Sequence, residues 1–127
     1  MADSNENKKT VLAFYSQAFN DRQPAEAVAE YVGATYRQHN PQAQDGPVGF
    51  IQFVLGFLGQ FPDASLEVKR VVAEGDLVVT HSLLRTSPDD RGTAAADIFR
   101  LEDGMVVEHW DVLQPVPETS ANDNTMF

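Results

Sequence analysis

Asp97-Ile98-Phe99-Arg100-Leu101-Glu102-Asp103-Gly104-Met105-Val106-Val107-Glu108-His109-Trp110-Asp111 reads as two strands folded back at a turn. Asp103-Gly104 carries the turn, because both residue types accept the positive φ that a tight hairpin needs. β-branched and aromatic residues dominate both arms, as strands favour. Among the ionisable residues of these arms, Asp97, His109 and Asp111 interrupt stretches that otherwise look buried. In the first arm Thr93, Ala95, Asp97, Phe99 and Leu101 share a face. In the second, Met105, Val107, His109, Asp111 and Leu113 share one face, and Val106, Glu108, Trp110, Val112 and Gln114 the other. A two-residue turn sets Asp97 opposite Trp110, and a three-residue loop sets it opposite His109. A one-residue slip exchanges every neighbour. The second register is preferred here, since it gathers Asp97, His109 and Asp111 on a face otherwise apolar.

Working outward, the strands read as Leu66–Ala73, Leu77–Thr86, Thr93–Leu101 and Met105–Gln114, separated by Gly75-Asp76, the loop 87–92 and Asp103-Gly104. Hairpins in series make an antiparallel meander. The first half is helical. Val11, Phe14, Tyr15, Ala18 and Phe19 form an i, i+3, i+4, i+7, i+8 stripe, which Asn20-Asp21 ends. Pro24 opens a second helix that buries Ala25, Val28, Tyr31 and Val32. A brief extended stretch, Ala34–Gln38, leads to His39-Asn40-Pro41. Gly46-Pro47 opens a third helix over Val48–Phe61, apolar around most of its circumference, and Pro62 stops it. Residues 1–7 read as a disordered tail, 8–114 as one domain and 115–127 as a flexible tail. Three helices followed by a meander is an α+β arrangement, with the helices covering one sheet face. A sheet that curls around a helix leaves a conical pocket between them.

Composition narrows the function classes. The 127 residues hold 9 basic against 19 acidic side chains, a net charge of −10, so nucleic acid and anionic membrane are not expected partners. No apolar run reaches the roughly 18 residues of a membrane span. Zero cysteines exclude disulfides, thiolate zinc sites and a cysteine nucleophile. With a polar, acidic start unlike a signal peptide, the expected location is cytoplasmic. No histidine pair has metal-ligand spacing on a helix, so no metal is expected. Gly-x-Ser-x-Gly and glycine-rich phosphate loops are absent.

The polar residues inside apolar segments are the site candidates. A carboxylate in an apolar pocket holds its proton to higher pH and can act as general acid or base. Asp97 fits that description, unless it faces solvent or pairs with Arg100 or Arg85. Beside a carboxylate, His109 is oriented for proton transfer, unless a surface acid such as Glu108 satisfies it. Asp111 joins the same face. His39, before Asn40-Pro41, is either an exposed loop residue or a helper. His81, inside Leu77–Leu84, is either a pocket residue or a satisfied core residue. Tyr15, Phe57, Phe61 and Phe99 are core residues that can also wall a pocket.

The run Asp97 to Asp111, with Tyr36-Arg37-Gln38-His39-Asn40-Pro41 and Asp45-Gly46, resembles the SnoaL-like polyketide cyclase branch of the nuclear transport factor 2-like superfamily, from about Lys8 to Gln114. Members of this group are often named as aldol-condensation enzymes. The resemblance implies a cone-shaped α+β barrel with three N-terminal helices on a curved, mostly antiparallel sheet. It implies one deep pocket and a homodimer packed through the sheet. It further implies cofactor-free acid/base chemistry on an apolar carbonyl compound, in which a proton α to the carbonyl is removed and the enolate attacks a second carbonyl. The cyclase acid/base position best matches Asp111; Asp111 or His109 would take the proton, Asp97 would stabilise developing negative charge, and His39 would assist. Tyr15, Asn40, Phe57, Phe61, His81, Phe99 and Trp110 would contact substrate. Steroid isomerases of the same fold carry a carboxylate where Asn40 stands, and an amide cannot be a base. The superfamily also holds non-catalytic ligand-binding and dimerisation proteins, so catalysis and binding both stand as expectations.

Overall fold

The computed structural model describes residues 3–127. Helix α1 spans Ser4–Tyr15, α2 Pro24–Tyr31 and α3 Gly46–Gln60. Strands follow as β1 Val32–Gln38, β2 Ser65–Glu74, β3 Leu77–Arg85, β4 Thr93–Glu102 and β5 Met105–Pro115. They form one open five-stranded sheet in the order β1-β5-β4-β3-β2. The β2–β5 pairings are antiparallel, and β1 lies parallel to β5. The fold is α+β, three helices against one face of a mostly antiparallel sheet. No helix among the described residues is long and apolar enough to cross a membrane.

Local chemistry explains where the elements begin and end. α1 starts earlier than its apolar stripe suggests. Asp3 caps it, its carboxylate accepting the Glu6 N–H at 2.8 Å, and Asn7 is buried. The expected tail over residues 1–7 is therefore helical from Ser4, and its first two residues lie outside the described ones. After Tyr15 the chain makes one π-helical turn, Ser16–Asn20, before Asp21 ends it. Such a turn inserts an extra residue and re-aims side chains on both sides of it. Val32, expected on the second helix, is the first residue of β1. The aromatic core gathers Phe14, Tyr15, Phe19, Tyr36, Phe50 and Phe99. Full burial of an aromatic side chain contributes on the order of 2–3 kcal/mol. Beyond Pro115 the chain adopts no helix or strand; Val116 N–H donates to Gly92 at 2.9 Å, and Phe127 stacks on His81.

The decisive hairpin takes neither expected register. Asp103 and Gly104 both have positive φ, 51° and 79°, so the turn is the two-residue kind. Glu102 pairs with Met105 and Leu101 with Val106. A bulge then admits one extra residue, Val107, and Arg100 pairs with Glu108. Asp97 consequently stands opposite Asp111, and Phe99 opposite His109. The bulge restores to the inner face the set that an uninterrupted two-residue hairpin would have turned outward.

Candidate functional site

A cavity of about 150 Å³ lies between the inner sheet face and the helices. Phe19, Phe50, Phe53 and Phe57 wall it from the helical side, and Leu66, Leu84, Ala95 and Leu113 from the strands. Its polar groups are Tyr15, Gln38, Asn40, Gln42, Asp97, His109 and Asp111. Among the described residues no lysine or arginine lines it.

Alternation along β4 and β5 brings Asp97, His109 and Asp111 inward. His109 is 2% exposed and Asp97 3%. His109 Nε2 lies 2.7 Å from Asp97 Oδ1 and 3.9 Å from Asp111 Oδ2. Tyr15, at the C-terminus of α1, closes a triangle: its hydroxyl donates to Asp97 Oδ1 at 3.2 Å and sits 3.0 Å from His109 Nε2. Burial pushes the Tyr15 hydroxyl well above its ordinary acidity range, with the Asp97 charge adding to it, so it stays a protonated donor. Burial does the same to Tyr36, which stacks on His109 at 6.2 Å. The other ring nitrogen, Nδ1, faces Gln38 Oε1 at 2.7 Å.

Asp111 sits apart from this triangle. Asn40 Nδ2 lies 3.0 and 2.9 Å from its two oxygens. Asn40 is held in turn, its Oδ1 accepting the Gln42 N–H at 2.8 Å. Asp111 thus has a neutral donor and an open cavity before it. One ligand-type atom from each of Asp97, His109 and Asp111 falls within 4.8 Å of the others. The 2.7 Å contact between Nε2 and Oδ1 is a hydrogen bond with a proton between the atoms, the geometry of a proton relay.

Tyr15, Asn40, Phe57, Asp97, His109 and Asp111 line the cavity; the other expected site residues do not. His39 is turned away: its Nε2 pairs with Glu108 at 2.7 Å and its ring stacks on Trp110 at 4.8 Å. Trp110 and Glu108 share the opposite parity of β5 from His109, so Trp110 is also on the outer face. His81 alternates with buried Thr80 and Ser82, faces outward, and contacts Arg70 and Phe127. Phe61, the residue after α3, packs on Phe57 without reaching the cavity. Phe99 is 0% exposed and props Tyr15 edge-on at 4.8 Å and His109 at 5.1 Å from beneath. Sequence reading overlooked Gln38. Period-two alternation from the core residue Tyr36 would have found it, since that alternation also turns His39 outward.

A family model described as a SnoaL-like domain matches residues 11–109. No curated protein matches the chain. Among solved structures it is similar to TsrD from Streptomyces laurentii, with a TM-score of 0.74 and 22% identity over 89% of this chain and 91% of that one. A candidate ketosteroid isomerase from Kribbella flavida gives 0.75 and 19%, over 96% and 87%. A candidate SnoaL-like polyketide cyclase from Jannaschia sp. gives 0.73 and 23%, over 87% and 86%. Likeness at such identities carries the fold. The family match spans most of the chain, and with the fold it leads to one conclusion: the chain belongs to the SnoaL-like domain family, within the nuclear transport factor 2-like fold.

Proposed function

We propose that this protein is a small-molecule enzyme performing cofactor-free acid/base chemistry on an apolar carbonyl compound, of the enolisation or aldol type. One observation carries the reading. At the floor of an apolar cavity a carboxylate held by a neutral amide, Asp111, faces a separate donor set, Tyr15 with His109–Asp97. Asp111 is the base. It takes the proton α to the carbonyl, and the C–H electron pair becomes the enolate. Tyr15 and His109 donate hydrogen bonds to the developing oxyanion, which lowers the barrier where charge appears. Asp97 balances charge on His109. The enolate carbon then bonds to a second carbonyl carbon, whose oxygen receives the proton from Asp111. Every proton moves between side chains and substrate, so the scheme asks for no cofactor.

The test is exchange of α-protons for deuterium in small cyclic ketones and diketones, followed by NMR. Asp111→Asn should slow exchange by about 10²- to 10⁴-fold while leaving ligand affinity nearly unchanged. A wild type that binds these compounds without exchanging a proton would make this a binding protein instead. We further propose a cytoplasmic homodimer paired through the outer sheet face, where Val72 and Val112 are 63% and 73% exposed. Val112→Glu should leave a monomer in analytical ultracentrifugation.

A further inference from the structure

Gln38 is the last residue of β1 and pairs directly with His109 of β5. Its Oε1 accepts the Asn40 backbone N–H at 3.0 Å. A backbone N–H can only donate, so the atom facing it is the oxygen, whatever the orientation of the amide. The same oxygen lies 2.7 Å from His109 Nδ1. Two acceptors do not bond each other, so Nδ1 carries a proton.

We propose that Gln38 is a positioning residue that keeps a proton on His109 Nδ1, leaving Nε2 as the only nitrogen that can exchange a proton with the cavity. Nε2 is the atom that meets Asp97 Oδ1 and the Tyr15 hydroxyl. Because Gln38 Oε1 also holds the backbone of Asn40, which holds Asp111, one amide sets the geometry of both halves of the site. This deepens the acid/base reading and rests on it for its catalytic meaning; the tautomer itself does not depend on catalysis.

The titratable groups facing His109 are Asp97 from β4, Asp111 from its own strand, Tyr15 from α1 and Tyr36 from β1. Asp97 alone would pull the neutral ring toward the opposite tautomer, with the proton on Nε2. Gln38 is the group that opposes this.

The experiment is a pH titration of the imidazole nitrogens by long-range ¹H–¹⁵N correlation on the labelled full chain, as wild type, Gln38→Leu and Gln38→Glu. In the wild type, Nδ1 should stay protonated at every pH, and only Nε2 should titrate. Gln38→Leu should exchange the roles, so that Nδ1 titrates and Nε2 keeps its proton against Asp97. Gln38→Glu should restore the wild-type pattern with a higher midpoint, because it returns the acceptor and adds negative charge. In proton exchange, kcat for Gln38→Leu should fall by about 10²-fold or more with KM little changed, as expected for a misplaced imidazole proton. An unprotonated Nδ1 in the wild type overturns the proposal even if Gln38→Leu does not fold, and so does a Leu variant that still titrates at Nε2. If no compound exchanges a proton yet the nitrogen pattern holds, the enzymatic reading fails and the tautomer lock stands.

Discussion

Asn40 Nδ2 lies 3.0 and 2.9 Å from the two carboxylate oxygens of Asp111. An amide here supplies a donor without competing for a proton. A carboxylate in its place would set two acids in contact, and two like charges that close cannot both ionise in an apolar site. Asn40→Asp should therefore move the acid limb of the exchange rate to higher pH. Asn40→Ala should leave the limb's shape intact and lower kcat through misorientation of Asp111. Rate against pH for the three proteins checks both. An unmoved acid limb in Asn40→Asp would remove Asp111 from the role of base.

Asp97 and His109 form a buried pair, 5% and 3% exposed at their side chains. Removing one partner of such a pair leaves the other desolvated and unmatched, which typically costs 3–5 kcal/mol. Asp97→Ala should lower unfolding stability by about 3 kcal/mol. Asp97→Asn, whose amide can still hydrogen-bond Nε2, should cost clearly less. Urea unfolding of both variants at neutral pH measures the difference. Equal losses would mean that the cavity left behind, not the pair, sets the cost.

How far the sequence speaks depends on which interaction decides each feature. Periodicity found α3 and the four later strands because burial on one face leaves a repeating mark. It also put His109 and Asp111 on one face, but joining Asp97 to them rested on a choice of register. It could not find their register. The bulge at Val107 is decided by packing between β5 and β1, and no residue in Asp103–Asp111 announces it. For His39 the sequence leaves an exposed residue and a helper both open, and only the β1–β5 pairing, Gln38 with His109, decides for the first by turning it outward. His81 and Trp110 fail by parity, since each alternates with a residue of the inner face. Gln38 drew no attention because an uncharged amide among polar neighbours carries no compositional signal.

The bulge has a partner in Gly33. A Cβ placed on Gly33 would lie 2.9 Å from Val107 Cγ1. Glycine here leaves room for the inserted residue, so the bulge and the small residue of β1 are one feature. Gly33→Ala should destabilise by about 1–3 kcal/mol, the usual range for overpacking. It should also weaken ligand binding, because a displaced Val107 shifts His109 and Asp111 with it. Val107→Ala removes the clashing methyl. The double variant should recover part of the loss, with a coupling energy of roughly 0.5–3 kcal/mol in a double-mutant cycle. Simple additivity would mean that Gly33 is small for another reason.

Glu108 governs the acid side of stability. His39 holds its carboxyl below the ordinary value of 4.5 by a hydrogen bond at 2.7 Å, and Arg100 adds a second at 2.8 Å. A carboxylate whose acidity is raised by folding contributes stability that is fully present above its unfolded value. That contribution fades as pH falls through the folded one. Replacing it by Glu108→Gln keeps the shape and removes the charge. Thermal melting of wild type and Glu108→Gln should differ most above the ordinary value of 4.5, where Glu108 is fully ionised. The two curves should converge below the ordinary value of 4.5, as Glu108 takes up its proton. A gap that stays constant from pH 3 to pH 8 would mean that Glu108 acts through packing along the outer face rather than through its charge.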